Sequence, residues 1–226
     1  MDMDQQLADS LARDLRIAPE QIVREEYELL LLERLVNSPA GNSLVFKGGT
    51  ALRLAYGSPR FSDRLDFSLL APLPEDVFVQ AARAAAAASP RLALAEALAK
   101  HATLFALYKV SEPYLAYPFS IKLEVSTRAE TWETGRDFGL QLLTSPVTPL
   151  SVLANVATLE RLWADKQAAL AARRRPRDVY DLWFIAQKLQ RPFAPDLTGF
   201  DRRALQRELR KYLPGRHWPV LEQWSA

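Results

Sequence analysis

The 226-residue chain contains no cysteine and only two histidines. Without cysteine there are no disulfides, no thiolate nucleophile and no zinc–thiolate site, although the redox compartment stays open. His101 and His217 lie far apart and outside every motif described below, which argues against a histidine metal centre. Long apolar runs are also missing. The longest, around Ala84 to Ala88, has Arg83 and Arg91 in its flanks and falls well short of the roughly 20 residues a membrane helix needs. No membrane span is expected. The opening Met1-Asp2-Met3-Asp4-Gln5 is acidic and lacks the apolar segment of a secretory signal, so the cytoplasm is the default location. No internal repeat is present, and the alanine run is the one low-complexity piece.

What is there is a chain with 49% hydrophobic residues, enough for one sizeable core or a core plus a smaller helical lobe. The net charge of +2 conceals an asymmetry, because residues 161–216 hold 14 Lys/Arg against 6 Asp/Glu. A basic C-terminal third beside an acidic remainder suits a lobe that binds a polyanion, and equally suits a set of solvated helix faces.

Helices are predicted over 4–15 and 19–36, the second with Pro19 in its first turn. Leu44-Val45-Phe46 reads as a short buried strand ended by Gly48-Gly49, and Thr50 to Tyr56 as a helix closed by Gly57 and Pro59. A strand over 65–70 precedes an alanine-rich helix over 75–88 and a further helix over 91–100. Residues 103–110 and 119–127 alternate and carry β-branched and aromatic residues, which predicts strands. Residues 130–149 read as loop with one short strand, and the chain from Leu150 onward as helical, near 157–172, 177–190 and 201–212. The pattern predicts a mixed α+β class in three parts: an N-terminal helical layer (1–42), an α/β core (43–148) and a basic helical lobe (149–226).

Three segments carry candidate chemistry. In Phe46-Lys47-Gly48-Gly49-Thr50, paired glycines let a ligand approach the backbone, and the following helix offers unpaired N–H groups to a phosphate; alone, the same residues make an ordinary turn with Thr50 as N-cap. In Arg60-Phe61-Ser62-Asp63-Arg64-Leu65-Asp66-Phe67, strand carboxylates beside such a turn are placed to hold a divalent ion on a triphosphate. Glu124, in Ile121-Lys122-Leu123-Glu124-Val125, either joins that face or is an exposed strand glutamate. Lys166 precedes Asp178 and Asp181; it either neutralises phosphate charge while a carboxylate orients an attacking hydroxyl, or is a surface lysine near dipole-placed acids. The tryptophans read as core and interface, with Trp183 nearest a motif.

Taken in order, Gly-Gly-Thr, Arg-Phe-Ser, Leu-Asp-Phe, Lys166 and Arg177-Asp178-Val179-Tyr180-Asp181 resemble the AbiEii/AbiGii toxin family of nucleotidyltransferase-like proteins, which includes the MenT-type toxins. The resemblance implies a nucleotidyltransferase-like fold with a helical C-terminal lobe. It also implies transfer of a nucleotide from an NTP with Mg²⁺ (or Mn²⁺) to RNA such as the tRNA 3′ end, and a cognate antitoxin in a type IV system. On this basis Asp66, Lys166, Asp178 and Asp181 are candidate catalytic residues. Lys47, Gly48, Gly49, Thr50, Ser62 and Arg177 are candidate substrate-binding residues, and Asp66, Asp63 and Glu124 candidate metal ligands. One position departs from the family pattern: Arg64 stands where the first of two strand aspartates is expected. Strand alternation puts Arg64 on the face of Asp66, where it is placed to pair with that carboxylate, and Asp63 on the opposite face. A local bend that returns Asp63 to the site, a protein that binds nucleotide without transferring it, and an inactivating change all fit that departure. A purely structural partner of another protein is a further alternative.

Overall fold

The computed structural model describes residues 3–224. Two helices lead, α1 (Gln5–Leu15) and α2 (Pro19–Val36). Asp4 caps the first by accepting from the Gln6 N–H at 3.3 Å, and Pro19 opens the second, where its missing N–H costs nothing. Strand β1 (Leu44–Lys47) then runs directly into α3 (Gly48–Tyr56), which Gly57 ends in the left-handed conformation with φ 73°. Strand β2 (Arg64–Leu69), helix α4 (Glu75–Ala86) and strands β3 (Leu92–Lys100), β4 (Thr103–Val110), β5 (Phe119–Ser126), β6 (Phe138–Ser145) and β7 (Thr148–Ala157) complete the sheet region. Helices α5 (Leu159–Arg173), α6 (Pro176–Lys188), α7 (Arg202–Arg210) and α8 (Trp218–Gln223) follow.

The seven strands form one mixed sheet in the order β3-β4-β5-β2-β1-β7-β6. Strands β2 and β5 are parallel, as are β1 and β7, while β1 and β2 run antiparallel at its centre. Alternation along β1 sends Leu44 and Phe46 into a core shared with α1, α2 and α4, and Val45 into a second core shared with α5, α6 and α7. The central strands are thus buried by two helical layers, and the catalytic candidates sit where the second layer meets the strand ends.

Two segments differ from their sequence reading. Residues 91–100 form a strand, because β3 pairs along the length of β4 with a register shift between Leu94 and Glu96; cross-strand pairing overrides the helical preference of its alanines. Residues 130–157 contain a β6–β7 hairpin in place of a loop and the start of a helix. The division at 148 therefore falls at the start of this hairpin's second strand, and Val156 of β7 pairs with Phe46 of β1. The helical lobe begins at Thr158, whose hydroxyl accepts from the Arg161 N–H at 3.3 Å.

Leu140, Leu142 and Leu153 on this hairpin are exposed, so the apolar spacing that marks a buried strand is muted there. Phe46, almost fully buried against Phe67 at 5.1 Å between ring centroids, stands in contrast. Phe46→Ala is expected to lower unfolding free energy by about 3 to 5 kcal/mol, whereas Leu142→Ala changes it by less than about 0.5 kcal/mol; urea denaturation of the two variants checks the difference.

Candidate active site

The site is built around the passage from β1 to α3. Gly48 takes φ 82°, a conformation that disfavours a side chain, and a methyl group there would collide with the Asp66 carboxylate. A methyl group on Gly49 would collide with the Arg60 guanidinium. The glycines are thus required by close approach, and the first-turn N–H groups of α3, which have no helical acceptors, lie close to Asp66. Thr50 does not share this role. It is buried and donates its hydroxyl to the Arg64 carbonyl at 2.6 Å, does not line the cavity, and is not the N-cap, which falls at Lys47. Its hydroxyl ties α3 to β2.

On β2, Leu65 and Phe67 turn into the core while Arg64 and Asp66 face a cavity of about 530 Å³. Asp66 stands in register with Glu124 of the parallel neighbour β5, which puts two carboxylates side by side. Ser62 lines the same cavity, next to Gly49. Neither the Ser62 hydroxyl nor the Asp66 carboxylate has a hydrogen-bond partner among the described residues. Burial pushes the Asp66 carboxyl above its ordinary pKa, and Glu124 adds to the shift, against the opposing pull of Arg64 and Lys166.

Asp63 precedes the strand, in a bend, so strict alternation does not apply and it too lines the cavity. Its oxygens are already taken. Arg177 donates to it at 2.9 Å and the Tyr212 hydroxyl at 3.2 Å. Burial alone would raise the Asp63 pKa, but Arg177 and Arg64 outweigh it and hold the carboxyl below its ordinary value. The carboxylate expected as a metal ligand instead anchors the helical lobe to the strand end. Arg64 is likewise placed otherwise than expected: its partners are Glu124 at 3.5 Å and Asp63 at 3.7 Å, not Asp66.

The opposite wall comes from α5 and α6. Lys166 contacts Asp178 at 3.1 Å and Asp181 at 2.6 Å. Arg173 donates two hydrogen bonds to Asp178, at 2.9 and 3.0 Å. Asp181 is fully buried beneath the cavity, where Arg60 clamps both of its oxygens at 2.7 and 2.8 Å. Burial would raise its pKa; the paired charges of Arg60 and Lys166 prevail and hold it down to about 2. Both Asp181 oxygens are thus engaged by Arg60, with Lys166 beside them, and Asp181 does not line the cavity. Lys47 reaches the cavity from β1, 3.4 Å from Asp165. Sequence reasoning assigned no role to Arg60, Arg173, Arg128 or Arg175, all of which line the cavity; for Arg60 the signal was present in its own motif. Trp183 lies away from the cavity, packed on Tyr180 and Trp224 in the second core.

Most of the lining carboxylates are neutralised by these pairs, and Arg128 and Arg175 have no carboxylate partner among the described residues. The cavity thus offers cationic side chains, helix N–H groups and one free carboxylate, which suits a phosphate chain. No three His, Cys, Asp or Glu side chains converge as a metal cage among the described residues. Asp66 and Glu124 supply two oxygen ligands where Mg²⁺ takes about six. The donor set fits a divalent ion completed by phosphate oxygens and water, with Arg64 competing for Glu124.

A mixed sheet with a glycine turn and an acidic strand facing a helical lobe defines the nucleotidyltransferase-like class. The sequence matches the family described as nucleotidyl transferase AbiEii toxin, Type IV TA system, over residues 30–224, and the chain belongs to that family. Among solved structures it is similar in fold to the nucleotidyltransferase toxin MenT4 (Rv2826c) of Mycobacterium tuberculosis H37Rv. There the TM-score is 0.62 at 22% identity, over 88% of this chain and 68% of that one. It is also similar to JHP933 from Helicobacter pylori, with a TM-score of 0.53 at 21% identity over 76% of this chain and 68% of that one. A putative nucleotidyltransferase from H. pylori gives 0.53 at 22% identity over 76% and 70%. Comparison with curated proteins gives no match.

Replacing Asp181 by Asn leaves Arg60 and Lys166 buried beside a neutral amide. The expected cost is about 3 to 5 kcal/mol, read as a lower denaturant midpoint, whereas Asp66→Asn breaks no pair and removes a buried charge whose pKa is raised, so it raises that midpoint at neutral pH.

Proposed function

We propose that the cavity binds a nucleoside triphosphate and transfers its nucleotidyl group to an RNA hydroxyl, with the tRNA 3′ end as the acceptor. The observation that carries this reading is the unpartnered Asp66 carboxylate facing the start of α3 among paired and unpaired cations. Phosphate oxygens are received by the N–H groups at Gly48 and Gly49 and by the Ser62 hydroxyl. Lys47, Lys166 and Arg173 neutralise the triphosphate, with Asp178 aiming the last two. Arg177 holds the cavity wall through Asp63. Asp66 and Glu124 would hold Mg²⁺ or Mn²⁺ together with the phosphates; when bound, the ion supplies charge neutralisation at the transferring phosphorus. In the reaction the acceptor oxygen bonds to the α-phosphorus and the bond to pyrophosphate breaks.

The type IV toxin family further supports a cognate antitoxin as partner. No helix among the described residues is long and apolar enough to cross a membrane, and the proposed substrates are those of the cytoplasm.

Arg64 supports a second reading. Its guanidinium, 3.5 Å from Glu124, puts a fixed positive charge beside the carboxylates meant for a cation. A chain that binds nucleotide or RNA without transferring it would have this arrangement.

Incubation with each labelled NTP, Mg²⁺ and tRNA separates the two. Metal-dependent labelling by the native chain, reduced by about 100-fold or more in Asp66→Asn, supports the transferase. No labelling by the native chain, with labelling gained in Arg64→Asp, supports the second reading, and NTP binding by neither contradicts both. Because the Asp66 pKa is raised, its carboxylate form is lost at a higher pH than for a free aspartate. Mg-NTP affinity is therefore expected to fall as pH is lowered through that raised value, and calorimetry on Asp66→Asn should show this pH dependence removed.

A further inference from the structure

A second cleft of about 410 Å³ lies between the C-terminal end of α1 and the turn after α7. Arg13 of α1 and Arg16 at its C-cap line it, together with Arg210 of α7, Lys211 at its C-cap and Trp218 of α8, with Asp9 as its one acidic lining residue. Arg13, Arg16 and Lys211 have no carboxylate partner among the described residues, and Arg210 has Glu222 at 3.5 Å. A basic residue at a helix C-terminus is favourable on its own helix. Convergence of such ends from two different helices is not, because the like charges repel unless an anion lies between them.

The cleft is held in shape. Arg16 caps α1 at φ 52°, with its stem so close to Gly215 that a Cβ there would stand 2.8 Å from it. Trp218 donates its indole N–H to the Leu213 carbonyl at 3.0 Å, and the Arg210 guanidinium stacks on its ring at 4.9 Å from the centroid. The same chain segment reaches the active-site cavity one residue later. Tyr212 donates to Asp63 at 3.2 Å, and its carbonyl accepts from the Phe61 N–H at 2.8 Å. Lys211 and Tyr212 therefore connect a cationic cleft to the rim of the proposed nucleotide cavity.

We infer that this cleft binds the phosphodiester backbone of the RNA acceptor, away from the reacting end. The inference rests on the proposed RNA-directed transfer for the identity of the polyanion, and on the cleft's own charge for its place. Each phosphate neutralised there releases counterions, so binding must weaken with salt.

The test is fluorescence-anisotropy titration of labelled tRNA, without NTP, against the native chain and the variants Arg13→Glu and Lys211→Glu at several salt concentrations. Thermal melts confirm folding, and calorimetry measures NTP binding in parallel. The expected result is an affinity loss of about tenfold or more for each variant at low salt, with the slope of log affinity against log salt shallower by about 1 per lost phosphate contact, and NTP binding unchanged. Unchanged tRNA affinity and slope in both variants would overturn the inference and leave the cleft to an acidic protein partner, while the nucleotide reading stood on its own calorimetry. Failure of the native chain to bind tRNA would overturn it as well. Should NTP binding be absent while tRNA binding depends on Arg13 and Lys211, the cleft is upheld and the nucleotide reading fails.

Discussion

The arrangement depends on one buried ion cluster: Arg60, Asp181 and Lys166, drawn from the turn before β2, from α6 and from α5. Arg60 is 2% exposed and Asp181 0%. Burying such charges is costly, and the cost is offset only where the geometry is close and complete, as the two-oxygen clamp of Arg60 on Asp181 is here. That clamp fixes the approach of the helical lobe to the strand ends. It also explains Gly49, since any side chain there would occupy the space of the guanidinium. Lys166 completes the cluster from above and so reaches the cavity in a set position, held by Asp178 as well. On the opposite side of the strand end, Arg53 pairs with Glu25, donates to the Ser58 and Pro59 carbonyls at 3.3 and 3.0 Å and lies over the Phe61 ring. The segment carrying Arg60 and Ser62 is therefore pinned on both sides.

With the wall so fixed, the electrostatics of the cavity turn on two adjacent residues of β2. Asp66 has no hydrogen-bond partner among the described residues and is raised in pKa by burial, an unfavourable state for a carboxylate that a cation or a phosphate-borne metal would relieve. Arg64 has settled on Glu124 and Asp63 instead. A single strand position thus puts a positive charge on the acidic face. Family membership defines the chemistry of the class, and this local pairing defines the question specific to the chain.

Much of the architecture was legible in the sequence because local and long-range preferences agree. Pro19, Gly57 and the alternation in 103–110 and 119–127 mark elements that the structure has at nearly those bounds. Where they disagree, the reading fails for identifiable reasons. Leu92–Lys100 is rich in alanine, and only its pairing with β4 makes it a strand. The β6–β7 hairpin carries exposed leucines on its outer face, which hides the apolar alternation expected of a half-buried strand. At the site, motif order placed Lys47, Gly48, Gly49, Ser62, Asp66, Glu124, Lys166, Arg177 and Asp178 around one cavity. Sequence could not tell which carboxylates were free. Whether Asp63 faces the cavity depends on a bend before the strand, and its engagement on Tyr212, 149 residues away. Thr50 and Asp181 are conspicuous in the motifs, yet their polar atoms are consumed within the fold.

A crystal structure of the chain soaked with a non-hydrolysable NTP analogue and Mg²⁺ decides whether the cavity is the nucleotide site. Phosphate density is expected at the start of α3, with Lys166 and the Gly48–Gly49 N–H groups within hydrogen-bond distance, and a cation or phosphate oxygen adjoining Asp66. Phosphate density away from this turn, or a bound nucleotide with Asp66 still untouched, would contradict that assignment.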